Sequence, residues 1–289
     1  MIKKIILGIG VLILLGGGGY WYLMIEQPAQ FGEGIAGVFQ KMQSADDLLN
    51  VANLKNNQDF EGAFEILRLR QEFFEARRDE LMALTPPWLD KEMQEVQDGM
   101  SAVMERFLLA NSDAKDKILF FAGAAELFQV FEPVRSPQKQ PQTIGDAILL
   151  FESVMPRAKA VAKNLFENEI QGAEPKLSGD SSFEELKSLW SDTSRGIEAL
   201  VVYAKTLNSK APMQDLENAF QKKQVPADAL LMDNMDEFFR KLESAISQNN
   251  LNDIIMYRTF PGGVPGEDIN KRFPGVEAKL KVILEKYGK

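Results

Sequence analysis

The side chains with the greatest chemical reach in this chain are carboxylates, arginines and methionines, because it contains no histidine and no cysteine. Imidazole is the commonest general base and metal ligand near neutral pH. Its absence, with that of thiol, removes the Ser-His-Asp triad, the Cys-His dyad and the usual zinc sites. It also removes c-type haem attachment and the di-iron Glu-x-x-His site. Adjacent carboxylates remain at Asp46/Asp47, Glu184/Glu185 and Asp236/Glu237. Neighbours on a helix point about 100° apart, so none of these forms an acid/base pair by itself. Asp233-Asn234-Met235-Asp236 lacks the glycine and terminal Glu of a calcium loop. The glycine tract lies in an apolar run, not in a phosphate loop. No catalytic, cofactor or metal residue is assigned, and an enzyme is not expected.

Two further clusters are open to a functional or a structural reading. Met82, Met93, Met100 and Met104 would suit a plastic groove or a soft metal, but helical spacing makes core packing the simpler account. Arg68, Arg70, Arg77 and Arg78 could meet anionic lipid or a carboxylate ligand. Glu61, Glu65, Glu72, Glu75, Asp79 and Glu80 are interleaved at pairing distance, which reads as a solvated, salt-bridged face. Gln71 and Arg78 fall on the apolar seam of the same helix, marking either a wet or functional layer or a seam drifting to solvent.

The elements that must position these groups start with residues 1–25, MIKKIILGIGVLILLGGGGYWYLMI. No charge falls between Ile5 and Ile25, a run of about 30 Å as a helix, which matches one hydrocarbon core. Lys3 and Lys4 precede it, and Tyr20, Trp21 and Tyr22 stand where an outer aromatic belt would lie. These five are the expected membrane-interface residues. The expectation is a single-pass anchor in the cell (inner) membrane, with a cytoplasmic N-terminus and the bulk of the chain periplasmic or extracellular. The bilayer is met through residues 5–25. A cleaved secretory signal stays open, since Ile5–Leu15 is short and Gly17 and Gly19 could precede a cut. The absence of cysteine excludes a lipoprotein.

Of 33 basic residues, 31 remain without Lys3 and Lys4, against 42 acidic, so the rest of the chain carries a net −11. Nucleic acid is therefore not an expected partner. Residues 26–57 read as a membrane-proximal stalk, loosened by Gly32, Gly34 and Gly37.

The body is helical. In 58–131, Phe60, Leu67, Phe74 and Leu81 recur every seven residues. A proline turn, Thr85-Pro86-Pro87, ends that helix. Helices over 88–109 and 113–130 alternate fours and threes, and 132–143 is a Pro-rich loop. In 144–249, a helix over 144–166 contains Pro156, which predicts a kink or break. A polar loop at 169–182 precedes the regular helix 183–207, opened by a Ser182/Glu185 capping box. Shorter helices follow at 212–222 and after Pro226. With an offset of 123, the seam of 60–81 falls on Phe183, Trp190, Ile197 and Ala204. Any two heptad-patterned helices align this way, so boundaries are placed on the loops. Residues 250–289 hold a Gly/Pro-rich loop and a docked C-terminal helix. There Phe260 and Phe273 either plug the bundle or, together with Tyr257, grip a partner.

Three-four spacing with short turns implies antiparallel packing. The fold class is all-α: an elongated antiparallel bundle, one large or two in tandem, on a single N-terminal transmembrane helix. The expected function is a scaffold or accessory subunit of a membrane complex, with other membrane or envelope proteins as partners. The alternative is a sensor-like bundle that binds a small molecule or peptide.

Overall fold

The computed structural model describes residues 22–43, 54–56, 59–87, 90–137, 139–166, 183–247, 250–258 and 275–288. Among them the regular structure is helical, as the three-four rhythm predicts, apart from an isolated antiparallel bridge between Thr143 and Pro212. The chain divides into two compact units. One takes residues 1–54, 61–114 and 255–289; the other takes 55–60 and 115–254.

In the first unit, a π turn at Tyr22–Glu26 leads directly into α1, Gln27–Gln43. The expected loose start of a stalk is instead a helix with Phe31, Ile35 and Val38 buried. Its glycines permit close packing. A Cβ on Gly32 would lie 2.2 Å from the Tyr287 ring, and one on Gly34 would lie 2.5 Å from Leu84.

Helix α2, Phe60–Ala83, is followed by α3, Lys91–Arg135. Asp90 caps α3 by accepting from the backbone N–H groups of Glu92 and Met93, each at 3.1 Å. The α2 and α3 seams run antiparallel. Gln97 donates to the Leu81 carbonyl at 2.8 Å, Phe74 stacks on Phe107 at 4.5 Å, and Asn111 donates to the Leu67 carbonyl at 2.8 Å. The C-terminal helix of this unit, here α9, is Val276–Tyr287. It adds Leu280 and Ile283 to a core of Leu81, Met93, Val96, Met100 and Met104.

Helix α3 does not break near residue 111, and it continues past the expected loop start to Arg135. Residues 110–113, Ala-Asn-Ser-Asp, contain neither proline nor glycine, so nothing local ends the helix. Pro133 falls in its last turn.

The second unit packs the 115–135 part of α3 with α4, Ile144–Phe166, α5, Phe183–Ala204, and α7, Asn234–Ser247. Successive helices are antiparallel. Arg157 meets Glu126 across α3 and α4. Glu152 meets Lys205, and Lys159 meets Glu198, across α4 and α5. Glu185 meets Lys241 across α5 and α7. Rings of Phe120, Phe131, Phe166, Phe183, Trp190, Phe238 and Phe239 interlock at centroid distances of 5.1–6.4 Å. Each such pair contributes about 0.5–1.5 kcal/mol beyond simple burial. The Arg135 guanidinium covers Phe128 and Phe239 at 4.9 and 4.8 Å.

Helix α4 runs unbroken through Pro156, which sits on its exposed side, although proline cannot donate the helical hydrogen bond at that position. Its start carries a capping box the sequence reading passed over. Asp146 N–H donates to the Thr143 hydroxyl at 3.2 Å, and Thr143 N–H donates to the Asp146 carboxylate at 3.0 Å. Helix α6, Met213–Gln221, and a 3-10 segment, Ala227–Asp233, close this end over Ile144, Leu200 and Ala204.

Gly196 lets the 3-10 backbone rest on α5. A Cβ there would lie 2.3 Å from the Met232 nitrogen and 2.7 Å from the Leu231 carbonyl carbon. Gly196→Ala should therefore destabilise by about 2–3 kcal/mol despite alanine's better helix propensity. Urea denaturation followed by circular dichroism should show a lower midpoint; an unchanged or higher midpoint contradicts this packing.

Candidate functional site

Three places combine chemistry with geometry. The first is a polar network inside the first unit. Arg70, read from sequence as part of a solvated face, is 1% exposed. Its Nη1 donates to the Ile255 carbonyl at 2.5 Å, and its guanidinium lies 5.2 Å from the Tyr257 ring centre. The Tyr257 hydroxyl donates to Asn111 Oδ1 at 3.1 Å. Asn111 Nδ2 donates to the Leu67 carbonyl and to Gln71 Oε1, and Gln71 donates onward to Glu75. Gln71 thus belongs to a polar layer, whereas Arg78 is half-exposed beside Asp79. Arg68 keeps the expected exposed role, paired with Glu65 and Glu72.

Tyr257 follows a short helix, α8, Leu251–Ile255. It is 3% exposed and holds a left-handed backbone, φ 56°. That conformation costs a non-glycine residue about 1–3 kcal/mol, so the ring and hydroxyl contacts must over-determine it. Burial raises the phenol above its ordinary value of 10.0, partly offset by Arg70. Of the three residues predicted to grip a partner, Tyr257 is therefore engaged within its own unit, and Phe260 and Phe273 lie outside the described residues.

The second place is the turn ahead of α1. Tyr22, Met24 and Ile25 are 46–48% exposed. The other predicted interface residues, Lys3, Lys4, Tyr20 and Trp21, lie outside the described residues, as does most of the apolar run. Among the described residues no helix is long and apolar enough to cross a membrane.

The third place is the outer face of α4 and α5 in the second unit. Phe151, Met155 and Ile197 floor an open groove of about 700 Å³, and Pro156, Val201 and Val202 edge it. Val202 is 66% exposed, and Leu149 on α4 is 67% exposed. The Glu152–Lys205 and Lys159–Glu198 pairs bound the groove at its two ends. A second open groove, along Gln129–Pro141 and the start of α4, is lined by Pro133, Pro137 and Pro141 with Lys139 and Asp146. The Asp146 carboxyl is held below its usual range by the Thr143 hydroxyl and backbone, so its acceptors serve the helix cap.

Met93, Met100 and Met104 are buried in the first core, and Met82 is exposed. Among the described residues no group of three or more carboxylates could hold a metal ion. Comparison with protein-family models, curated proteins and solved structures finds no match.

Removing the phenol hydroxyl leaves buried Asn111 Oδ1 without that donor. Tyr257→Phe should cost about 1–3 kcal/mol of stability at pH 7. A raised folded-state value keeps the neutral phenol favoured in the fold, so its contribution is full below pH 10 and is lost as pH rises above it. Denaturation of both proteins from pH 8 to 11 should show wild type losing its advantage above about pH 10. A constant difference across that range contradicts a buried, hydrogen-bonded phenol.

Proposed function

We propose that the chain is a membrane-anchored, extracytoplasmic helical scaffold or accessory subunit of a membrane protein complex. The observation that carries this reading is the course of α1. Its preceding turn leaves Tyr22, Met24 and Ile25 uncovered, while Phe31, Ile35 and Val38 are buried in the first unit. The uncovered residues end the apolar run 5–25, and a bilayer would cover them. The chain would then leave the membrane on a helix that is part of the folded body.

Action through helix surfaces is supported by the cores and the grooves. Large side chains fill both cores, among them Leu67, Leu81 and Met104 in one unit and Phe120, Phe131 and Phe238 in the other. The apolar groove of the second unit lies on the outside of a helix pair. Lys3 and Lys4 ahead of the apolar run favour a cytoplasmic N-terminus by the positive-inside rule.

Alkaline washing of native membranes tests the anchor. The full chain should stay in the pellet, and a chain lacking residues 1–21 should move to the supernatant with its helical spectrum intact. Release of the full chain by the wash would overturn the reading.

A further inference from the structure

The geometry points to the outer face of α4 and α5 as a self-association surface whose occupant is a second copy of this chain. The inference rests on the reading that the chain works through helix surfaces, and it names the partner for one of them.

The argument is charge complementarity. Four charged side chains mark the corners of the apolar groove. On α4, Glu152 and Lys159 are seven residues apart and share one stripe with Pro156. Glu198 on α5 and Lys205, the residue after its last, are also seven residues apart; the Lys205 N–H still bonds to the Val201 carbonyl, so both share one stripe with Val202. The helices are antiparallel, so Glu152 stands beside Lys205 at one end and Lys159 beside Glu198 at the other. All four side chains are 43–54% exposed and so can reach a neighbour. The signs alternate around the rectangle.

Two copies meeting face to face are related by a two-fold axis lying in the contact plane. If that axis runs along the helices, Glu152 meets the partner's Lys205 and Lys159 meets the partner's Glu198. If it runs across them, Glu152 meets the partner's Lys159 and Glu198 meets the partner's Lys205. Every corner meets the opposite sign in both cases. Exposed Val202 meets the partner's Pro156 in the first arrangement and the partner's Val202 in the second. The pattern is thus complementary to itself.

The extent is adequate. Helices of 23 and 22 residues present a face roughly 33 Å by 20 Å, or about 650 Å² per copy, a little below the standard 800 Å². Ion pairs of this exposure set orientation more than strength, so the apolar centre must supply the affinity.

The test is sedimentation of the full chain in a mild detergent. Wild type should be a dimer. Val202→Asp, at an exposed position, should keep its helical spectrum and weaken the dimer at least about tenfold. Glu152→Lys alone should also weaken it, because the introduced ammonium then faces a lysine of the partner under either axis. The fourfold reversal Glu152→Lys, Lys159→Glu, Glu198→Lys, Lys205→Glu should dimerise with itself but not with wild type. A wild-type monomer, or a fourfold reversal that pairs equally with wild type, would overturn the inference. A monomer that still co-purifies with membrane proteins would sink this inference and leave the scaffold reading intact. A dimer that co-purifies with no other protein would do the reverse.

Discussion

A guanidinium in a helical core needs an acceptor and a polarisable neighbour, and the first unit draws both from a distant part of its own chain. Arg70 lies on α2 with 1% of its surface exposed. An isolated charge at that depth would cost far more than any single apolar contact returns. It is tolerated because the chain brings back the Ile255 carbonyl and the Tyr257 ring and hydroxyl. That return places Tyr257 in a left-handed conformation and ties its hydroxyl to Asn111 on α3. Asn111 in turn holds the Leu67 carbonyl and Gln71 on α2. Residues from three separated stretches are therefore fixed by one set of hydrogen bonds, and α9 follows that return into the same unit. An apolar side chain at position 70 would leave those acceptors to find other partners.

Much of the helical framework was legible because seam spacing is a direct record of burial. Phe74, Leu81, Met93, Val96 and Met100 in one unit, and Phe183, Leu186, Ile197 and Leu200 in the other, lie where the three-four rhythm places them. What the rhythm hid was continuity. Helices expected over 88–109 and 113–130 join into α3, because polar residues at 111–113 read as a gap when only apolar positions are counted. Asn111 fills that gap with hydrogen bonds. Glycines at 32, 34 and 37 read as flexibility, yet two of them sit where Tyr287 and Leu84 press on the backbone. Neither contact is visible from local sequence, since each partner lies far along the chain.

The candidate surfaces were less legible, for physical reasons. Arg70 resembles Arg68 in composition and neighbours, but the two lie on different faces of α2, and only the tertiary contacts reveal which one is buried. Tyr257 reads from sequence as part of a partner-gripping loop, and the fold uses it internally. The α4–α5 face was present in the sequence as opposite charges at seven-residue spacing, Glu152/Lys159 and Glu198/Lys205. Its meaning required knowing that these two helices are antiparallel neighbours. The predicted interface residues ahead of Tyr22 lie outside the described residues, so the proposed anchor rests on the apolar run itself and on the uncovered turn before α1.

The central claim, membership in a membrane complex, is tested most directly by composition. The full chain would be purified from native membranes in a mild detergent, and whatever stays bound identified by quantitative mass spectrometry. The account predicts a reproducible, stoichiometric set of membrane proteins alongside the chain. Recovery of the chain alone or only with itself, from material in which other membrane complexes remain intact, would contradict it.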